Sequence, residues 1–84
     1  MSLRYAYSLH ERVVLDLIRA DDAARSELLH VFGRLASDPA HPGIDTVIDA
    51  DGRANEVFFS DNFAVVYWAD HAVKTVRVMQ VQRL

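Results

Sequence analysis

Two neighbouring segments, Asn55–Phe59 and Phe63–Ala69, place apolar residues on both of the faces between which a strand alternates. In the second, Phe63, Val65 and Tyr67 point one way and Ala64, Val66 and Trp68 the other. A strand written like this belongs to the middle of a sheet whose two faces are both covered. The sequence supplies enough helix to cover one of them. If the segments pair around the Asp61-Asn62 turn, Val57, Phe59, Ala64, Val66 and Trp68 share the second face, and leaving them in water forfeits about 2 kcal/mol per large side chain. An exposed patch of that kind also invites aggregation. A partner is therefore expected on it. The alternative within one chain is that the loop at 38–45, or the neighbourhood of the first strand, folds over it.

The helices are read from apolar spacing and end signals. Leu3-Arg4-Tyr5-Ala6-Tyr7-Ser8 alternates large and small residues and predicts a short first strand with Leu3, Tyr5 and Tyr7 on one side. Ser8-Leu9-His10-Glu11 fits a capping box, in which the serine hydroxyl accepts from the amide three residues on and Glu11 reaches back. Val13, Val14, Leu17 and Ile18 then form an apolar stripe, with Arg12, Asp16 and Arg19 left for solvent, so a helix is predicted from about Leu9 to Arg19. Asp21 and Asp22 suit the start of a second helix, because their oxygens accept from free amides and their charge favours the positive end of the dipole. Its apolar set is Ala24, Leu28, Val31, Phe32, Leu35 and Ala36, and it stops near Ser37 because Asp38 precedes Pro39.

Asp38-Pro39-Ala40-His41-Pro42-Gly43 is a loop by every local rule. Thr46–Asp49 predicts a short edge strand, and Asp51-Gly52 is a strong hairpin signal. Strands at Asn55–Phe59, Phe63–Ala69 and Lys74–Gln82 follow, joined by links short enough for an antiparallel meander. The expected fold is α+β: an N-terminal strand, a helical hairpin, then a three- or four-stranded antiparallel meander with the helices on one face. The side of the final strand that meets the helices stays open, since Val76 and Val78 oppose Met79 and Val81.

At 84 residues the chain is expected to be a single domain over residues 3–84, with a core small enough that association is a common way to gain stability. Zero cysteines exclude disulfides, cysteine-ligated zinc and thiol catalysis together. No apolar run approaches a membrane span, and Met1-Ser2-Leu3-Arg4-Tyr5 does not open a signal peptide, so a soluble cytoplasmic protein is expected. The net charge is −3, and its location matters more than its size. Residues 1–37 balance five basic against five acidic side chains, whereas from Asp38 onward four basic residues face seven acidic ones. Phosphate contacts supply most nucleic-acid affinity, so an acidic sheet half is a poor starting point for RNA or DNA.

Candidate chemistry is sparse. His10, His30, His41 and His71 show no ligand spacing, although His41 and His71 fall in loops that could approach Asp45 or Asp70; solvated surface histidines are the plainer reading, and neither a metal nor a cofactor is expected. Asp49-Ala50-Asp51-Gly52 has its glycine too early for a calcium loop and reads as a turn. Asp49, Asp51, Glu56 and Asp61 offer carboxylates for acid–base work, but on turns and an edge where acidic residues are routine. Tyr5, Tyr7, Tyr67 and Trp68 suggest a base-stacking platform that lacks interleaved cations. Arg77, mid-strand, is expected to pair with Glu56 across the sheet.

The opening strand and helical hairpin, Leu35-Ala36-Ser37-Asp38-Pro39 closing the second helix, the strand Phe63-Ala64-Val65-Val66-Tyr67, the acidic turn Asp70-His71 and Thr75-Val76-Arg77-Val78-Met79-Gln80-Val81 together resemble the RelE/ParE superfamily of bacterial toxin–antitoxin proteins. The resemblance implies two helices against an antiparallel sheet. For typical members it also implies a toxin silenced by an antitoxin, acting as a ribosome-dependent mRNA endonuclease or as a gyrase inhibitor. Ribonuclease members usually carry lysines in the strand matching Asn55-Glu56-Val57, an arginine where Ala64 follows Phe63, and a basic tail where this chain has Gln82-Arg83-Leu84. Backbone cleavage needs cations on the phosphate and an acid or base for the attacking and leaving oxygens. The expectation is therefore a divergent member acting through protein contacts, with Val57, Phe59, Ala64, Val66 and Trp68 meeting an antitoxin-like helix or a second copy in a homodimer. The alternative is an active endonuclease with a non-standard set drawn from Arg53, Arg77, Arg83 and His71.

Overall fold

A computed structural model describes residues 4–40, 43 and 45–84. The elements run β1 (Ala6–Leu9), α1 (Glu11–Arg19), α2 (Asp22–Ser37), β2 (Asp45–Ile48), β3 (Ala54–Phe59), β4 (Phe63–Asp70) and β5 (Thr75–Arg83). The strands form one sheet in the order β1-β5-β4-β3-β2. From β2 to β5 the pairing is the expected antiparallel meander, with four strands where three or four were open. β1 adds to the far side of β5 in parallel, with Ala6 opposite Thr75 and Leu9 opposite Val78.

One face of the sheet carries both helices. Phe63, Val65 and Tyr67 of β4 are buried in a single core with Val13 of α1, Ala24, Leu28, Val31, Phe32 and Leu35 of α2, and Val76, Val78 and Val81 of β5. Phe58 packs against this cluster from β3, as its alternation predicts. A bulge settles the side of β5 that was left open. Val66 pairs with Gln80 but Tyr67 pairs with Val78, so Met79 is an extra residue with no partner. Skipping one residue reverses the alternation. Val76, Val78 and Val81 therefore all reach the core despite their mixed parity.

The second helix follows its apolar set: Ala24, Leu28, Val31, Phe32, Leu35 and Ala36 are all buried. Asp21 caps it, its Oδ1 accepting from the Ala24 amide at 2.8 Å. The helix ends at Ser37, before Asp38 and Pro39. The first helix departs from expectation at its start. Ser8 does not cap it, because Ser8 and Leu9 are consumed by the ladder to β5. Helix α1 begins instead at Glu11, and His10 is its cap, Nδ1 accepting from the Arg12 amide at 3.2 Å. The predicted stripe is also narrower: Val13 is buried and Leu17 half-buried, but Val14 is 40% and Ile18 68% exposed. Only the Val13–Leu17 edge of this short helix meets the sheet.

Side-chain and backbone contacts tie the elements together. Arg25 donates from Nε to the Leu17 carbonyl at 3.1 Å and from Nη2 to the Ala20 carbonyl at 2.7 Å, fixing the end of α1 against α2. Glu27 of α2 accepts from the Ser60 hydroxyl at 2.6 Å, the Asn62 amide at 3.0 Å and the Asn62 side chain at 2.7 Å, clamping the β3–β4 turn. Tyr5 donates its amide to the Ala36 carbonyl at 2.9 Å, and Tyr7 lies 5.7 Å from the Phe32 ring. The expected strand position of Leu3 lies outside the described residues.

Burial along α2 predicts opposite outcomes for adjacent leucines. Leu28→Ala should cost about 2–5 kcal/mol in urea denaturation, whereas Leu29→Ala, 43% exposed, should stay within about 0.5 kcal/mol. The hydrogen bonds from Ser60 and then Asn62 hold the Glu27 carboxyl below its ordinary value of 4.5. A depressed acid contributes stability that is fully present above its ordinary value and is lost as pH falls through and below it. Glu27→Gln should therefore lower Tm at pH 7, and the gap to wild type should shrink in melts taken as pH drops from 5 to 3.

Candidate functional site

No helix among the described residues covers the opposite face of the sheet. Val57 stands opposite Val66 and Phe59 opposite Ala64, while Trp68 stands opposite Arg77 on β5, so all five residues expected at an interface do share this face. Their accessibility differs: Val57 is buried, Ala64, Val66 and Trp68 are half-buried, and Phe59 is 42% exposed. Gln80 and Gln82 continue the face along β5. Pro39 and Ala40 of the loop line a recess together with Glu56, Trp68 and Ala69, and loop positions 41, 42 and 44 lie outside the described residues.

At the β1 end, the face changes character. The Arg53 guanidinium lies over the Trp68 ring, 4.0 Å from its centroid, and that of Arg77 lies at 5.6 Å. Stacking of this kind is worth about 0.5–2 kcal/mol and favours arginine over lysine. Arg77 is further held by Asp70, which accepts from Nε at 3.0 Å. Ser8, His10, Met79 and these four residues line one groove of about 550 Å³. The Trp68 indole N–H is buried, with no hydrogen-bond partner among the described residues.

The β2–β3 turn delivers Arg53 to that ring. Asp49 Oδ1 accepts from the Asp51 and Arg53 amides at 3.0 and 2.9 Å, and Gly52 takes φ +80°, the left-handed conformation that favours glycine. Asn55, fully buried, donates from Nδ2 to Asp49 Oδ2 at 3.0 Å. That bond first, and then the Arg53 amide, holds the Asp49 carboxyl below its ordinary range. Asn55 is thus engaged in holding a turn, and with Val57 and Ala64 it fills with uncharged groups the positions at which the resemblance expects cations.

Several sequence expectations fail for one reason, the face on which a residue lands. Glu56 sits opposite Tyr67 on the helical side, so it cannot meet Arg77; its Oε1 accepts from the Gly43 amide at 2.9 Å. Arg77 pairs with Asp70 instead. Tyr67 is buried in the core, its hydroxyl pushed up to about 12 by burial and then by the charges of Glu56 and Asp38, so it shares no platform with Trp68. The four cations and bases of the alternative catalytic set also part company. Arg53 and Arg77 meet on Trp68. His71 sits in the β4–β5 turn, its Nδ1 2.8 Å from the Tyr5 hydroxyl. Arg83 lies over Phe63, 5.0 Å from its centroid, at the other end of β4. His41 lies outside the described residues, and no group of three or more His, Asp or Glu among the described residues is placed to hold a metal ion.

The Arg53–Trp68–Arg77 cluster was not read from the sequence. Its signal was the tryptophan-to-Arg77 register, which only the Met79 bulge brings opposite, and the arginine immediately after the Asp51-Gly52 turn.

A helical hairpin on one face of an antiparallel meander, with an N-terminal strand closing the sheet in parallel, is a RelE/ParE-like fold. In the crystal structure of the RelBE2 toxin–antitoxin complex from Mycobacterium tuberculosis, the matching chain superposes with a TM-score of 0.78 at 16% identity, covering 96% of this chain and 99% of that one. At that identity the likeness is one of fold. No protein-family model and no curated protein matches the sequence.

The turn's role in presenting Arg53 is open to test. Asp49→Ala should lower Tm and shift the emission of Trp68, the sole tryptophan, whereas Asp49→Asn, which keeps one acceptor oxygen, should do less of both.

Proposed function

We propose that this protein is a toxin–antitoxin-type protein of the cytoplasm that acts through protein contacts made by its helix-free sheet face, using Val57, Phe59, Ala64, Val66 and Trp68 to bind an antitoxin-like protein or a second copy of itself. The observation that carries this reading is the composition of that face. Asn55, Val57 and Ala64 are uncharged where a nucleolytic relative would need cations on the scissile phosphate. Phe59, meanwhile, leaves 42% of its surface in water beside half-buried Ala64 and Val66. Burying such a band against a partner returns about 25 cal/mol per Å² of apolar surface removed from water. The exposed Phe59 end is where the gain is largest.

One observation favours a second reading, an active endonuclease: Arg53 and Arg77 converge on Trp68 beside His10 and Asp70. Two guanidiniums with an imidazole nearby are groups from which phosphodiester cleavage is built. Neither Arg83 nor His71 joins them.

Inducing the chain in a bacterium separates the readings. Growth should continue unaffected; arrest that disappears with Arg77→Ala would establish the enzyme instead. Trp68→Glu should abolish association in size-exclusion chromatography, alone or with a partner encoded alongside, while a cooperative melt persists. A wild-type chain that stays monomeric and captures no such partner would remove the interface.

A further inference from the structure

We propose that the groove walled by Arg53, Trp68 and Arg77 is a binding site for a small phosphate-bearing anion, free phosphate or a simple phosphate monoester. This goes beyond the protein-contact reading, with which it shares Trp68 alone, and it requires no cleavage chemistry of the arginines. The groove lies at the Trp68 end of β4, whereas the exposed apolar residue Phe59 lies at the end paired with Ala64.

Charge is the first argument. Two guanidiniums share one ring, and among the described residues the only carboxylate lining the groove is Asp70, which is occupied by Arg77. Arg53 has no ion pair among the described residues; Asp49, whose charge it feels, already accepts from two backbone amides and Asn55. Like charges gathered in a concave surface focus a positive potential and recruit a counter-anion.

Preorganisation is the second. Stacking on Trp68 fixes the plane of the Arg53 guanidinium, and Asp70 takes only Nε of Arg77, leaving its two terminal nitrogens as donors. Holding flexible cations in place before the ligand arrives reduces the entropy lost on binding. The Ser8 side of β1 adds a neutral hydroxyl to the same set of walls.

Geometry selects the anion. A planar carboxylate is best satisfied by the fork of one guanidinium, whereas two forks arriving from a turn and from a strand address the several oxygens of a tetrahedral phosphate. Arg53 already covers the Trp68 ring at 4.0 Å, so recognition falls on the phosphate group and not on stacking of an aromatic ligand. The groove, about 550 Å³, has room for a monoester's organic part and falls in the ordinary size range of small-ligand sites, roughly 300–1,000 Å³.

Trp68 is the only tryptophan, so its emission reports on the site directly. Sodium phosphate, glycerol 3-phosphate and sodium acetate are titrated separately into the full chain at ionic strength held constant with sodium chloride, with calorimetry as a second readout. Saturable emission changes and heats are expected for the two phosphates and not for acetate. Binding should weaken at least tenfold in Arg53→Ala and in Arg77→Ala and stay unchanged in Arg83→Ala. Arg53 is exposed, so its variant is the decisive one should Arg77→Ala fail to melt cooperatively. A response that does not saturate, equal binding of acetate, or undiminished phosphate binding by folded Arg53→Ala would overturn the site.

Discussion

The structure depends on the burial of one face of β4 against two helices. Tyr67 and Trp68 are consecutive, yet the pleat sends them to environments with little in common. Tyr67 becomes one of the largest fully buried side chains of the core, packed among valines of β5. Trp68 is left on the open side, where the stacked arginines are its cover. Because the core claims Phe63, Val65 and Tyr67 together, a shift of one residue in β4 would exchange the two sets entirely. Register, and with it the whole composition of the open face, follows from that burial.

Much of the fold was legible because its signals are local. Asp21, the six apolar positions of α2 and the Asp38-Pro39 stop fixed the second helix; alternation and the Asp51-Gly52 turn fixed the meander. What could not be read was decided by pairing between distant segments. The parallel ladder of β1 on β5 takes Ser8 and Leu9 away from the helix whose start they resemble, and His10 inherits the cap. The bulge at Met79 cannot be seen in β5 alone, since it exists only relative to β4. The shared face of Val57, Phe59, Ala64, Val66 and Trp68 was legible because all five lie on β3 and β4, where alternation holds without interruption. The arginine cluster was not, because one of its members sits past a turn and another lies across a bulge.

The same distinction governs charge. Counted along the chain, the sheet half is acidic, but most of the carboxylates that make it so go elsewhere. Asp49 is absorbed in its turn and Glu56 faces the helices. Among the described residues, Asp70 is the one carboxylate that accompanies the arginines at the groove. A protein can therefore present a locally cationic recess on a surface whose residue count is negative, and near such a surface the nearest few charges matter more than the total because salt screens the others.

The parallel seam between β1 and β5 also sets an order of events for the folding chain. Ala6 must find Thr75 across nearly all the intervening polypeptide, while the helices and hairpins between them need only their neighbours. Contacts of such long sequence separation carry a greater loop-closure cost than local ones and slow the folding of the whole chain until they form. Until they do, the oily sides of Val13 and Phe32 lack the valines of β5 that enclose them. The nascent molecule is consequently stickiest just before completion, an interval in which a chaperone or a waiting binding protein would find the most to hold.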